Sequence, residues 1–328
     1  MSFSICVVGC GRLANEMHGP ALRLYASRHP GTVLAGCCDR DPGKAAAFRE
    51  VFGFRSSYTD ADAMLDAERP DAVCLLVPPA AAQEAAVRIL DKGFPLITEK
   101  PPGLTAEETR RIIEAASRAR VPTRVALNRR YMPLVVRLRQ MACTPERSWI
   151  EHIDLDFYRV GRTDPDFSTT AIHGIDLVRF LAGSPYTEIR ISYRDHAGLL
   201  VPDITLECAF ASGCTARVCF RPASGIEIER IVLTGTGRTV VAELPGWEPE
   251  DPPGRIMDSG KGRPRIDVDG ASLLTSPEPC EKLGFYGENA GFFDSLRARA
   301  VPGGGVEDSL QTVEVAAGLR SRAAFIGF

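Results

Sequence analysis

The chain has 328 residues, 45% hydrophobic and 25% charged, which is the globular average and too long for one small domain. A formal net charge of −3, with no basic block and no acidic tail, argues against nucleic acid or an anionic membrane as the main partner. The longest apolar runs are strand-length, far short of the roughly 20 residues of a membrane span, and no export signal precedes the first strand, so a cytoplasmic protein is expected.

Residues 4–8 read as a β run ending in Gly9-Cys10-Gly11-Arg12-Leu13-Ala14, which opens a helix. This is Gly-x-Gly-x-x-Ala directly after a strand, the context a dinucleotide fingerprint requires. Gly9 permits the tight turn, and Gly11 lets the backbone approach a pyrophosphate, whose charge the helix N-terminus favours. Ala14 keeps the helix close to the sheet, and Arg12 and Leu13 join the expected cofactor contacts. Pro20 is expected to interrupt this helix and to start a second short one over 20–27.

The next strand, 33–38, ends in Asp39-Arg40. A carboxylate at that point can accept both ribose hydroxyls of an adenosine, which favours NAD over NADP, while Arg40 leaves room for a 2′-phosphate. The spacing from Ala14 exceeds the usual interval of about 20 residues, which the extra helix absorbs. Alternatively, Asp39 is only a turn residue ahead of Asp41-Pro42-Gly43 and the helix 44–52.

The alternation continues with helix 60–67, strand 72–77, helix 83–92, strand 96–98, helix 106–119 and strand 123–127. Repeated strand–helix units imply a right-handed, doubly wound parallel sheet. Residues 71–77 form a nearly unbroken apolar run, as expected of a strand buried on both faces. Pro78-Pro79 ends that run on the ligand side, and Pro78 joins the cofactor contacts. Strand 96–98 leads into Glu99-Lys100-Pro101-Pro102. Ligands of an open parallel sheet bind outside the carboxyl ends of its strands, so this pair points a proton donor into the crevice. A lysine working near neutral pH needs a lowered proton affinity, which a cleft and a bound cofactor can supply. The bland alternative is a solvated charge pair ahead of a helix capped by Thr105, with Glu108 at the third position.

The character changes after Asn128-Arg129-Arg130-Tyr131. Residues 149–158 alternate, with Ile153, Leu155 and Phe157 opposite His152, Asp154 and Asp156, and residues 203–210 do the same. Strands over 215–221 and 226–233 complete an antiparallel sheet with one apolar and one polar face. Within this half, Thr169, His173, Asp176 and Phe180 share one helical face. Asp176 can orient the His173 ring or raise its proton affinity, making His173 a proton shuttle, or the two are a helix-surface pair of no consequence. Residues 244–280, rich in Pro, Gly, Asp and Glu, read as a long irregular loop, a substrate lid or partner contact. Helices over 289–300 and 309–322 follow, split by Pro302-Gly303-Gly304-Gly305. The division is therefore a dinucleotide-binding domain over 1–127 and a second domain over 128–328.

Ten cysteines raise a metal or disulfide reading, which their positions oppose. Cys6, Cys37, Cys38, Cys74, Cys208 and Cys219 all fall inside expected strands, and no Cys-x-x-Cys pair occurs. Buried, reduced thiols and no metal centre are expected.

Together these motifs resemble the Gfo/Idh/MocA family, named for glucose–fructose oxidoreductase, inositol 2-dehydrogenase and the MocA proteins. The likeness spans nearly the whole chain: Gly9-x-Gly11-x-x-Ala14, His18-Gly19-Pro20-Ala21-Leu22, Asp39-Arg40-Asp41-Pro42, Val77-Pro78-Pro79, Glu99-Lys100-Pro101, Asn128-Arg129-Arg130-Tyr131-x-Pro133 and His173-x-x-Asp176. The resemblance implies an α/β protein: an N-terminal Rossmann doubly wound parallel sheet and a C-terminal α/β domain on an open, mostly antiparallel sheet. In the family the face of that second sheet often forms the dimer contact, which implies a homodimer or homotetramer. The resemblance also implies NAD as cofactor and places Lys100 on the reacting hydroxyl or ketone, with Glu99 and Pro101 shaping the nicotinamide pocket. His173 becomes a second acid/base or a substrate ligand, Asp176 a substrate ligand or the group that orients it. Asn128 and Arg129 are implied at the cleft beside nicotinamide and substrate.

Two departures from the family stand out. Many members carry Asp four residues before the helix histidine, where this chain has Thr169, and a His after the Pro-Pro turn, where it has Gln83. A threonine hydroxyl can hydrogen-bond a substrate but cannot act as a base at neutral pH, so Lys100 and His173 must carry the proton transfer. The expected activity is that of an NAD(P)-dependent dehydrogenase or reductase acting on a CH–OH group of a small molecule, a sugar, cyclitol or sugar derivative. An NAD-dependent glycosidase of the same family is the second reading. A non-catalytic NAD-binding sensor or partner protein, motivated by Thr169, is the third.

Overall fold

The computed structural model describes residues 2–142, 149–162, 166–260 and 262–328. Six strands come first: β1 (Phe3–Val8), β2 (Thr32–Cys38), β3 (Ser56–Tyr58), β4 (Ala72–Leu75), β5 (Leu96–Glu99) and β6 (Thr123–Ala126). They pair in parallel in the order β3-β2-β1-β4-β5-β6. Every residue of β4, β5 and β6 is buried, which demands cover on both faces of the sheet. The cover comes from α1 (Gly19–Arg28), α2 (Pro42–Phe52), α3 (Ala61–Glu68), α4 (Pro79–Asp91) and α5 (Ala106–Ala119). Short polar side chains start three of them: Asp41 accepts from the Gly43 and Lys44 amides, Asp60 from Ala63 and Thr105 from Glu108.

The expected break at Pro20 does not occur. The helical run is continuous from Arg12 to Arg28, and Ala14–His18 widens into a π-turn in which the Gly19 amide returns to the Ala14 carbonyl. Proline has no N–H to donate and its ring crowds the carbonyl four residues back; a wider turn relieves both.

One face of the sheet packs Leu22 and Tyr25 of α1 and Phe48 and Phe52 of α2 over Ile5, Val7 and Cys37. The other packs Met64 and Leu65 of α3, Ile89 and Leu90 of α4 and Ile112 of α5 over Cys6, Val73 and Leu96. Right-handed crossovers put α4 and α5 on that second face, so no local helix covers Cys74, Ile97 and Ala126 on the first.

The second sheet is built from β7 (His152–Val160), β8 (Tyr186–Arg194), β9 (Asp203–Phe210), β10 (Thr215–Ser224), β11 (Ile228–Gly235), β12 (Arg238–Glu243), β13 (Arg255–Gly260), β14 (Arg263–Asp269) and β15 (Phe325–Gly327). Its order is β14-β13-β12-β11-β7-β10-β9-β8-β15, antiparallel throughout except for the parallel pair β7–β10. Ile153, Leu155 and Phe157 are fully buried, as the alternation in the sequence requires. Beside the sheet lie α6 (Pro133–Ala142), α7 (Ser168–Ala182) and the short α8 (Pro279–Lys282). Helix α7 packs on β7 and β10. The long loop expected over 244–280 is structured in its middle, which forms the β13–β14 hairpin and a 3₁₀ turn at Gly270–Leu273. Three positions of β13 face inward, Ile256, Asp258 and Gly260, and only one is a large apolar residue. Asp258 is buried there because Arg238 grips it through two nitrogens, at 3.0 and 2.6 Å, and this charge hides the strand's alternation.

The chain then divides differently from the expectation. Helix α9 (Phe285–Arg297) lays Ala290, Phe292 and Phe293 on the uncovered part of the first sheet, against Cys74, Ile97 and Ala126. The last helix is α10 (Leu310–Arg320). The first compact unit is therefore Met1–Tyr131 with Gly284–Val313, and the second is Met132–Leu283 with Glu314–Phe328. A single cut at 127/128 misses this return of the chain. The nine described cysteines are free thiols and all are buried. Among the described residues no helix is long and apolar enough to cross a membrane.

Candidate functional site

The strand order of the first sheet reverses between β1 and β4, and an open parallel sheet binds ligands at such a switch. A cavity of about 580 Å³ lies there, lined by Gly9 and Gly11 after β1, Asp39 and Arg40 after β2, and Pro78 after β4. Gly9 has φ +101°, and a Cβ on it would stand 2.4 Å from the Leu76 carbonyl oxygen, so only glycine fits. Nothing lies within 4 Å of where a Gly11 Cβ would be. Asp39 accepts the Cys10 amide on Oδ2 at 2.9 Å and the Asp41 amide on Oδ1 at 3.0 Å. The carboxylate is thus held from two sides with lone pairs to spare for hydroxyl donors, while Asp41 does the capping of α2. Arg12 and Leu13 do not line the cavity; the Arg12 side chain is exposed and pairs with Glu16 at 3.1 Å. Lys44, Asp60, Glu84 and Arg88 do line it, without having been singled out in the sequence.

A larger cavity, about 1070 Å³, lies in the second unit between β11 and residues 244–254. Six acids line it, Glu227, Glu229, Glu243, Asp251, Asp267 and Asp269, against Arg230 and Arg255 in the lining and Arg159 paired behind Glu227 and Glu229; among the described residues this wall is net acidic and repels a diphosphate.

At the end of β5 the Glu99 side chain turns inward. Its Oε1 accepts from His18 Nε2 at 2.8 Å and its Oε2 from the Lys100 amide at 3.1 Å. The His18 ring is fully buried, and Asn289 Nδ2 donates toward its Nδ1 at 3.3 Å, which places the ring proton on Nε2. Burial pushes the Glu99 carboxyl up, but the His18 hydrogen bond and the charge of Lys100 outweigh it, and the carboxyl lies below its ordinary value. The pair Glu99-Lys100 is therefore not a solvated one. Lys100 follows half-buried, its bond to Pro101 cis. After β6 a 3₁₀ turn, Asn128–Tyr131, buries Asn128 and Arg129, with Arg129 Nη1 donating to Asn128 Oδ1 at 3.1 Å.

In the second unit α7 carries Thr169, His173 and Asp176. His173 and Asp176 are buried, not surface groups, in a helix buried almost all round. Thr169 is partly exposed, and its hydroxyl donates to the Asp166 carbonyl at 3.2 Å.

The family description "Oxidoreductase family, NAD-binding Rossmann fold", GFO_IDH_MocA, matches residues 3–127. Residues 3–127 are thus similar to the Rossmann domain of the Gfo/Idh/MocA family. The chain is 27% identical over 135 residues to oxidoreductase P35 of Formosa agariphila, 41% of each chain. It is 26% identical over 268 residues to inositol 2-dehydrogenase 2 of Saccharopolyspora erythraea, covering 75% of this chain and 71% of that one. In fold it resembles a dehydrogenase from Chromobacterium violaceum with a TM-score of 0.83 and 23% identity, over 98% of this chain and 95% of the other. The match to the Formosa oxidoreductase thus spans less than half of that protein's length.

The family matched over 3–127 is described as NAD-binding, and the residues at the switch point fit that cofactor: Gly9 and Gly11 before a helix N-terminus suit the diphosphate, and Asp39 suits the ribose diol. What the sequence did not single out by role is the layer behind Lys100, where His18, Arg124, Glu288 and Asn289 are buried together with Glu99. One signal was available for Glu288: on α9 it shares a face with Phe285 and Phe292, an acid in an apolar stripe.

Proposed function

We propose that the protein is an NAD-dependent dehydrogenase acting on a hydroxyl of a sugar, cyclitol or sugar derivative. The observation that carries this reading is the position of Lys100, at the carboxyl end of β5 in a sheet whose switch point suits NAD. Bound NAD supplies the hydride acceptor. Lys100 takes the proton of the substrate hydroxyl, and Glu99, anchored by His18, orders the backbone from which Lys100 projects. Asn128 and Arg129 contribute polar groups to the substrate. From the second unit, His173 acts as second proton carrier, Asp176 as its orienter or a substrate ligand, and Thr169 as a hydrogen-bonding hydroxyl. The likeness to inositol 2-dehydrogenase 2 supports the cyclitol side of the substrate class. Free thiols in every described cysteine suit a reducing, cytoplasmic setting. The test is NADH formation across a panel of polyols and sugars; binding of NAD with no turnover on any of them would reject the dehydrogenase.

Asp39 is assigned the choice of NAD over NADP, and Arg40 tempers it. Replacing Asp39 with Ala removes the acceptor of charge-assisted hydrogen bonds, each worth roughly 1.5–3 kcal/mol, so NAD affinity is expected to fall about 10–100-fold while NADP loses less. Calorimetric titration with both dinucleotides reads the ratio, and an equal loss for the two would remove Asp39 from the discrimination.

The polar face of the second sheet carries cross-strand ion pairs, Asp154 with Arg217 at 2.9 Å and Asp156 with Arg230 at 2.6 Å. We assign this face to a homodimer or homotetramer contact. Light scattering should report a multiple of the 35.6 kDa chain mass, and a single-chain mass at all concentrations would overturn the assignment.

A further inference from the structure

We propose that Glu288 is a positioning residue for the Lys100 site, held as a neutral acid behind Glu99 so that a single carboxylate faces the lysine. The proposal rests on the reading of Lys100 as proton carrier, but its first test does not. Glu288 sits on α9 with no exposed surface, and among the described residues neither carboxyl oxygen has a hydrogen-bond partner. Its carboxyl stands close to His18 and Glu99, and the ligand atoms of the three residues all lie within 4.8 Å of one another. Two carboxyls this close in a dry interior do not both ionise. Glu99 accepts two hydrogen bonds, from His18 and from the Lys100 amide, and so it holds the charge. Glu288 accepts none, and so it keeps the proton.

Around the carboxyl stand His18 on the π-turn, Cys74 on β4, Glu99 at the end of β5 with Lys100 just past it, Arg124 on β6 and Arg129 on the turn beyond. Arg124 directs its donors to the main-chain oxygens of Gly303 and Glu288, at 3.0 and 2.7 Å, and not to the Glu288 carboxyl. Burial raises the Glu288 carboxyl most and the charge of Glu99 adds to it. Arg124, Arg129 and Lys100 oppose them, and the result lies well above the ordinary value.

One nitrogen and two carboxyls could also suggest a metal ion. Two observations oppose that. His18 Nε2 and Glu99 Oε1 are 2.8 Å apart, a hydrogen-bond separation, whereas two ligands of a tetrahedral ion at about 2.0–2.2 Å stand roughly 3.3–3.6 Å apart. Lys100, Arg124 and Arg129 also already place three positive charges around the cluster. The group the carboxyl holds is a proton.

The consequence concerns Lys100. A second carboxylate beside it would strengthen its hold on its own proton and keep it an ammonium. With Glu288 neutral, only Glu99 does so.

Glu288→Gln preserves the shape and neutrality of the acid, and the test is thermal unfolding of both proteins across pH. An unfolded glutamate ionises near pH 4.3, while the folded Glu288 keeps its proton. Above that pH the native state binds one more proton than the unfolded state, so wild-type stability falls as pH rises toward the folded value. The variant lacks this loss. Its melting temperature relative to wild type should therefore climb by a few degrees between about pH 4 and about pH 8. A flat difference, or one that falls with pH as removal of an ionised and paired carboxylate would give, overturns the proposal. In turnover, the lysine-limited limb of the kcat/KM profile should stay in place in Glu288→Gln; a limb shifted by a unit or more to lower pH also overturns it. If the variant does not fold, the infrared band of a buried carboxylic acid in the wild-type protein at neutral pH decides, supporting the assignment when present and rejecting it when absent. The stability slope reads Glu288 alone, so its failure is distinct from failure of the Lys100 reading, which turnover reports.

Discussion

Replacing Lys100 with Met is expected to lower kcat by about 10²–10⁴-fold while NAD affinity changes little. Methionine keeps the length and apolar stem of the lysine and removes its nitrogen, the group proposed to take the substrate proton. The cofactor contacts at Gly9, Gly11 and Asp39 sit at the ends of β1 and β2, separate from β5, so the diphosphate and ribose should still bind. His173→Ala provides the companion measurement. If both residues act on one substrate, the double variant loses less than the product of the two single losses, because either change already disables the same proton transfer. Multiplicative losses would separate the two residues into independent roles. Unchanged turnover in Lys100→Met, measured against a polyol that wild type oxidises, would refute the lysine assignment outright.

What the sequence revealed and what it concealed divide by the range of the interactions. The Gly9–Gly11 turn, the carboxylate after β2 and the Thr105 cap are short-range features, in which each residue type answers to its own backbone neighbours, and all three were legible. The alternation in β7 and β9 was legible for the same reason, since one face of each strand is apolar. Strand β3 was missed because it has only three residues, and β13 because a buried Asp258 occupies an inward position. The return of α9 to the first sheet is of another kind. Its helical pattern was visible, but the gap it fills exists only once the crossover helices have taken their sides of the sheet. Glu288 was lost with it, because the expected helix began one residue after it. A buried acid acquires its meaning from His18 and Glu99, more than 180 residues away in the chain.

Gly9→Ala and Gly11→Ala should separate folding from cofactor binding, and the difference between them is the second large effect. At Gly9 the added methyl would meet the Leu76 carbonyl oxygen at 2.4 Å, in a backbone conformation, φ +101°, that side-chain-bearing residues rarely adopt. That carbonyl has little freedom to retreat. The Leu76 amide donates to the Val8 carbonyl at 2.7 Å and the Gly9 amide to Cys38 at 2.8 Å, which ties the turn to β1 and β2. The strain of a forced positive φ together with the overpacking should cost roughly 2–4 kcal/mol of stability, and what remains folded should bind NAD poorly because the turn has moved. At Gly11 the methyl meets nothing within 4 Å, so the melting temperature should stay near wild type, within about 0.5 kcal/mol in stability. The same methyl takes up room beside the backbone that a diphosphate needs, so NAD affinity should drop about tenfold or more. Thermal unfolding read beside calorimetric NAD titration gives both quantities on each variant. A stable Gly11→Ala protein that binds NAD as tightly as wild type would show that the diphosphate does not approach this turn, and the assignment of the switch-point cavity to the cofactor would fall with it.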